Sequence, residues 1–236
     1  MIKVIYEDSH ILVCEKPAGI ATQAGKITEK DMVSEVNNYL RKAGASSSAY
    51  LIHRLDKPVR GILLLAKTKQ AAAELNKQLS SDAFEKKYYA LVEGNLGSSD
   101  LNMLAGELKN KICKISNKAI IVEDDTAQVK DDKGREQDVK EARLKYEVVT
   151  DITSDIASIF SPEDNASDTT ILDIRLLTGR FHQIRCQLSH AGFPIVGDTL
   201  YGSTIPYSKR NAIGLVAYSL SFEHPTKKEK MTFTIK

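Results

Sequence analysis

The stretch His53-Arg54-Leu55-Asp56-Lys57-Pro58-Val59-Arg60-Gly61 runs directly into Ile62-Leu63-Leu64-Leu65-Ala66. The apolar run reads as a buried strand, and the polar residues before it as the loop that feeds it. Loops that end at buried strands are frequent places for catalytic groups. An aspartate desolvated there has a raised pKa unless a cation sits beside it. A loop ion pair between Arg54 and Asp56, or a turn-capping aspartate, accounts for the same residues without chemistry.

Working outward, residues 2–6 and 11–14 read as short strands split by the turn Glu7-Asp8-Ser9-His10, and Lys16-Pro17-Ala18-Gly19 opens a loop. Asp31 is placed to cap a helix to about Lys42, with Val33, Val36 and Leu40 on one face and Gly44 as its stop; 45–48 is a connector. Thr68 caps a second helix bearing Ala71, Ala72, Leu75 and Leu79, and 87–94 is a strand closed by glycine. Residues 101–122 read as strands or a hairpin, 123–138 as an exposed loop, 142–149 as a strand and 151–168 as a second long loop. A strand over 170–177, a helix over 181–191 with Ile184, Leu188 and Ala191 inward, and strands over 194–198, 214–222 and 231–235 complete the chain. Short strands mixed with a few helices, without regular alternation, predict an α+β class.

Composition narrows the setting. The 236 residues include no apolar run long enough to span a bilayer, which requires about 18 residues. The start, Met1-Ile2-Lys3, shows no secretory pattern, and three scattered cysteines, Cys14, Cys113 and Cys186, fit reduced thiols rather than disulfides or zinc. The net charge of +2 conceals an asymmetry: residues 123–170 carry 14 acidic and 6 basic side chains, and the rest of the chain nets +10. A body of that sign attracts polyanions, although a solvated Lys/Glu surface has the same composition.

Two further clusters stand out. In Thr178-Gly179-Arg180-Phe181-His182-Gln183-Ile184-Arg185, glycine suits a tight turn, Thr178 is a candidate helix cap, and His182, Arg185 and Ser189 share one helix face. An arginine leaving a buried face is a natural partner for a carboxylate; an amphipathic helix with a charged outer stripe is the plainer reading. His182 and His190 lie too far apart along a helix to share one metal ion. In Lys86-Lys87-Tyr88-Tyr89, strand alternation sends the two rings to opposite faces, one free to stack on a base or simply to fill the core.

Taken together and in order, these segments resemble the RNA pseudouridine synthases of the RluA type. The resemblance rests on Tyr6-Glu7-Asp8 through Lys16-Pro17-Ala18-Gly19, His53-Arg54-Leu55-Asp56 with residues 61–67, and Lys86 to Gly94. It continues through Thr178 to Arg185 with Leu188, then Gly192-Phe193-Pro194-Ile195-Val196-Gly197-Asp198, and ends at Leu220-Ser221-Phe222-Glu223-His224-Pro225. It implies the pseudouridine synthase fold, a mixed, mainly antiparallel central sheet with flanking helices and a central RNA-binding cleft. Residues 1–236 would then form one catalytic domain of two subdomains. It implies Asp56 as the catalytic carboxylate, Arg185 as its partner, Tyr88 packing on the target base and Arg54 filling the stack left by the flipped nucleotide. His53, Arg180, His182 and Leu188 join Arg54 as expected substrate-binding residues. The reaction is an isomerisation, so no cofactor and no metal is expected. The implied partner is an rRNA or tRNA stem-loop, met by a cytoplasmic monomer with no membrane and no obligate protein partner.

Departures from the family pattern refine these expectations. Lys57-Pro58-Val59-Arg60 stands where the family usually has a Thr/Ser pair, and is expected to add charge near the RNA. Phe181 replaces a usual Thr or Ser, and Val216 a usual His. The first motif begins near residue 6, so no S4-type RNA-binding module is expected before it, and specificity falls to the cleft and a hairpin near 105–120. The acidic segments should lie away from phosphates. An RNA-binding factor without catalysis, and a metal-dependent hydrolase using His53 and Asp56, are the alternatives from other classes.

Overall fold

A computed structural model describes residues 2–25, 29–44, 48–79, 81–96, 104–124, 126–160 and 168–235, with backbone only at 154 and 157. In chain order the elements begin with β1 (Lys3–Glu7), β2 (Ile11–Lys16), α1 (Met32–Lys42), β3 (Tyr50–Leu51), β4 (Arg60–Ala66), α2 (Lys69–Gln78) and β5 (Glu85–Glu93). Then follow β6 (Ala105–Ile115), β7 (Lys118–Val122), β8 (Gln128–Lys130), β9 (Glu136–Asp138), β10 (Lys140–Val148), α3 (Ser154–Ile159), β11 (Thr169–Leu176), α4 (Gln183–His190), β12 (Leu215–Glu223) and β13 (Lys230–Thr234). The chain forms two compact units: residues 1–87, 210–212 and 216–236, and residues 88–209 and 213–215.

In the first unit the strand order is β1-β2-β4-β12, with β3 pairing β4 and β13 pairing β12. Pairing is antiparallel between β1 and β2, β2 and β4, and β12 and β13, but parallel between β4 and β12. The run from Ile62 to Ala66 is buried at every residue, so β4 is an interior strand. It lies so close to β12 that a Cβ on Gly61 would stand 2.6 Å from the Ala217 carbonyl oxygen, and only glycine fits. The caps fall where expected. Asp31 accepts from Ser34 N–H at 2.7 Å, and Thr68 accepts from Ala71 N–H at 3.1 Å. Gly44 follows α1 with φ +85°, the left-handed stop. The face of α1 packed inward is Met32, Val36 and Leu40, with Val33 only half-buried.

In the second unit the order is β5-β11-β10-β6-β7, with antiparallel pairing from β11 through β7. A separate ribbon, β8 with β9, occupies the acidic stretch expected to be loop. Its turn is organised by Asp131, which accepts from the Lys133 and Arg135 amides at 2.9 Å each and pairs with the Arg135 side chain. The second expected loop likewise contains α3, whose Ile156 and Ile159, with the following Phe160, are buried. Polar composition concealed both: apolar residues of α3 that find a core, and in the ribbon a single aspartate whose buried carboxylate organises the turn. Part of that loop, and most of the connector at 45–48, lie outside the described residues. No described helix is long and apolar enough to cross a membrane.

Candidate active site

The polar loop before β4 is held from both sides by backbone-directed bonds. Thr22 Oγ1 donates to Leu55 C=O at 2.7 Å and accepts from Leu55 N–H at 3.0 Å, clamping the residue before Asp56. Val59 N–H donates to Asp56 C=O at 3.0 Å, closing the turn that follows. The Lys16 ammonium is fully buried beneath it and donates to the carbonyls of Pro17 (2.9 Å), Ile20 (2.7 Å) and Lys57 (3.2 Å). Burial lowers its pKa to about 8, while the Asp56 carboxylate works in the opposite direction. Lys16-Pro17-Ala18-Gly19 is therefore the footing of the aspartate loop. Asp56 itself is half-buried, and Arg54 is exposed with no ion pair among the described residues.

His53 packs against β4. Its Nε2 accepts from Leu64 N–H at 3.2 Å, and its ring meets Phe84 edge-on with centroids 5.9 Å apart. Burial, then the positive charge of Lys86, pushes its pKa down to about 3, so the ring is neutral at physiological pH. The other ring nitrogen, Nδ1, is buried and has no hydrogen-bond partner among the described residues. The charge expected from Lys57 and Arg60 is engaged. Lys57 pairs with Glu29 at 2.5 Å, and Arg60 with Glu15, which Lys3 also holds at 2.7 Å.

In the second unit Tyr88 is buried, with 6 % exposure, and Tyr89 half-buried, the alternation that a strand imposes. The helix expected from Phe181 starts at Gln183, because His182 lies in the left-handed region with φ 49°. Thr178 is not its cap: its hydroxyl donates to Gln183 Oε1 at 2.8 Å and accepts from Arg143 N–H at 2.8 Å, fastening the turn to β10. Arg180 is exposed, its Nε donating to Glu141 C=O at 2.9 Å. Leu188 is 2 % exposed and belongs to the core.

Arg185 makes a bidentate pair that the sequence reading missed. Its Nε donates to Asp198 Oδ2 at 2.6 Å and its Nη2 to Asp198 Oδ1 at 2.7 Å, with both side chains nearly without solvent. Nη1 stands 3.0 Å from His182 Nε2, and the guanidinium carbon 5.0 Å from the Tyr201 ring centre. Tyr201 Oη lies 3.1 Å from His182 Nδ1 and accepts from Ala119 N–H at 2.7 Å. Both ring nitrogens of His182 are thus engaged inside the protein. Asp198 was visible in the sequence as the last residue of a quoted motif, but a carboxylate 13 positions from its partner gives no periodic signal.

The comparisons with known proteins agree on one family. The family model described as RNA pseudouridylate synthase matches residues 10–190. The dual-specificity RNA pseudouridine synthase RluA of Vibrio vulnificus is 30% identical over 94% of this chain and 78% of its own. The ribosomal large subunit pseudouridine synthase D of Nitrosomonas europaea is 28% identical over 95% of this chain, which spans only 58% of that relative's length. Among solved structures, human RNA pseudouridylate synthase domain containing 4 superposes with a TM-score of 0.70 at 19% identity, covering 99% of this chain and 88% of that one. The expected α+β fold, with a mixed and mostly antiparallel sheet, is the fold of these neighbours. Ordered motifs, a footed aspartate loop and a match over most of the length lead to one statement: this chain belongs to the RNA pseudouridylate synthase family.

Proposed function

We propose that the protein isomerises uridine to pseudouridine in a structured segment of rRNA or tRNA, with Asp56 as the catalytic carboxylate. The observation that carries this reading is the Asp56 loop itself. In a chain of this family, it is clamped by Thr22 at Leu55 and underpinned by the buried Lys16 ammonium. An ammonium beside a carboxylate favours the ionised form, which is the form that can attack the sugar or base, or remove the sugar 2′ proton. The N1–C1′ bond breaks, the uracil turns while trapped, and C5 takes the place of N1. The product has the atoms of the substrate, so no second substrate enters.

In this reading Arg185 joins Asp56 as its cationic partner, and Tyr88 offers the flat apolar surface on which the detached base turns. Arg54 is exposed and without an ion pair among the described residues, which suits it to the stack vacated by the flipped nucleotide. Arg180, also exposed, contributes charge toward the RNA backbone. Leaving the stack costs a few kcal/mol and least in a loop, so a stem-loop bound in the family's cleft is favoured over a perfect duplex. The relatives' names, ribosomal large subunit and dual-specificity RNA pseudouridine synthases, support RNA, and ribosomal RNA among it, as the substrate class. The protein acts as a cytoplasmic monomer. The test is Asp56→Asn: pseudouridine formation on total RNA should vanish while RNA binding persists, and full activity in that variant refutes the assignment.

A further inference from the structure

We propose that His182 and Tyr201 are positioning residues that fix the guanidinium of Arg185 and tether it to the hairpin β6–β7. The inference rests on the functional reading above only for the importance of Arg185; the tether itself stands on geometry within one unit.

The protons in this chain of contacts have a single arrangement. A guanidinium donates and never accepts, so Arg185 Nη1, at 3.0 Å, requires a lone pair on His182 Nε2. Burial, then the charge of Arg185, lowers the His182 pKa to about 4, so at neutral pH the ring carries one proton. That proton must sit on Nδ1, which therefore donates to Tyr201 Oη at 3.1 Å. The same oxygen accepts from Ala119 N–H on β7 at 2.7 Å. A continuous path thus runs from the hairpin backbone through a phenol and an imidazole to the arginine, whose other edge is locked on Asp198.

The surroundings reinforce the path. Phe181 stacks on His182 with ring centres 3.8 Å apart, holding a residue whose φ of 49° is uncommon outside glycine. Lys114 lies 4.6 Å from the Phe181 ring centre, and Lys118 5.1 Å from that of Tyr201. These two lysines flank the hairpin tip, so the strands expected to grip RNA end on the aromatic residues that orient Arg185. Neither His182 nor Tyr201 needs to touch substrate for the reaction to depend on it.

Tyr201→Phe removes the oxygen and keeps the ring. On an RNA stem-loop that the wild-type chain modifies, its single-turnover rate should fall by about tenfold to a hundredfold, the cost of misplacing a reacting group by roughly 1 Å. RNA affinity should be unchanged. In an Arg185→Lys background the same substitution should add no further loss. A full rate in Tyr201→Phe, or an effect confined to affinity, overturns the proposal while leaving the functional reading intact. A measurement independent of activity is the ring nitrogen NMR spectrum of the wild-type protein. It should show His182 as the Nδ1–H form down to about pH 5, consistent with the pKa near 4. An Nε2–H form, or a ring titrating in the ordinary histidine range, overturns the tether even if the chain modifies no RNA at all.

Discussion

Replacing Asp198 by asparagine should be among the most damaging single substitutions outside the aspartate loop. The side chains of Arg185 and Asp198 are 6% and 2% exposed, and the pair is joined by two bonds of 2.6 and 2.7 Å. An exposed pair of the same chemistry contributes only about 0–1 kcal/mol. Here, removal of the carboxylate charge leaves a guanidinium stranded without water, at a cost of about 3–5 kcal/mol. For a chain of this size each kcal/mol lowers the melting temperature by about 2–4 °C, so Asp198→Asn should melt roughly 6–20 °C below wild type. The assay is thermal and urea unfolding of Asp198→Asn, Arg185→Met, and Arg185→Met combined with Asp198→Leu. The double variant should lose less than Asp198→Asn alone, since it strands no charge. A loss below about 1 kcal/mol in Asp198→Asn, or a double variant as unstable as the two losses added, refutes the reasoning.

Three other outcomes follow from the same geometry. Gly61→Ala should destabilise the protein by about 3 kcal/mol in denaturant titrations, because the new Cβ meets the backbone of Ala217 and not a movable side chain; a neutral result would mean that β4 and β12 separate easily. Asp8 is pushed up by burial, but the amides of His10 and Ile11, with His224 and Tyr6, outweigh this and hold its pKa at about 2. A lowered carboxylate pKa gives stability that is complete above the unfolded value near 4 and is lost as pH falls towards 2. Asp8→Asn should therefore flatten acid unfolding in that window, as followed by circular dichroism.

Lys16 works with the opposite sign. Its folded pKa of about 8 lies below the unfolded 10.5, so its charge opposes folding at neutral pH. That penalty, about 3 kcal/mol, is relieved as pH rises from 8 to 10.5. Relative to Lys16→Met, the wild type should gain stability over that interval; a flat or falling difference would show that the ammonium is not confined as described.

The linear order of motifs was enough to identify the family, because each motif is a local solution. Asp31 and Thr68 cap the helices that follow them, Gly44 ends α1, and the apolar run after Gly61 is an interior strand. Such features depend on neighbours within a few residues, so the order of side chains along the backbone decides them. The acidic segments were misjudged for the complementary reason. The β8–β9 ribbon turns on Asp131 and α3 on a few buried apolar residues, and composition averages those away.

Partner choice was beyond the reach of the sequence. Nothing in its spacing says that Arg185 holds Asp198, that both nitrogens of His182 are engaged internally, or that Arg60 and Lys57 are matched by Glu15 and Glu29. A charged residue in an unfolded chain can pair with any opposite charge. For the buried groups, Arg185 and Asp198 above all, burial raises the cost of a wrong pairing to several kcal/mol, and that selection is made only when strands and helices distant in sequence close around the group.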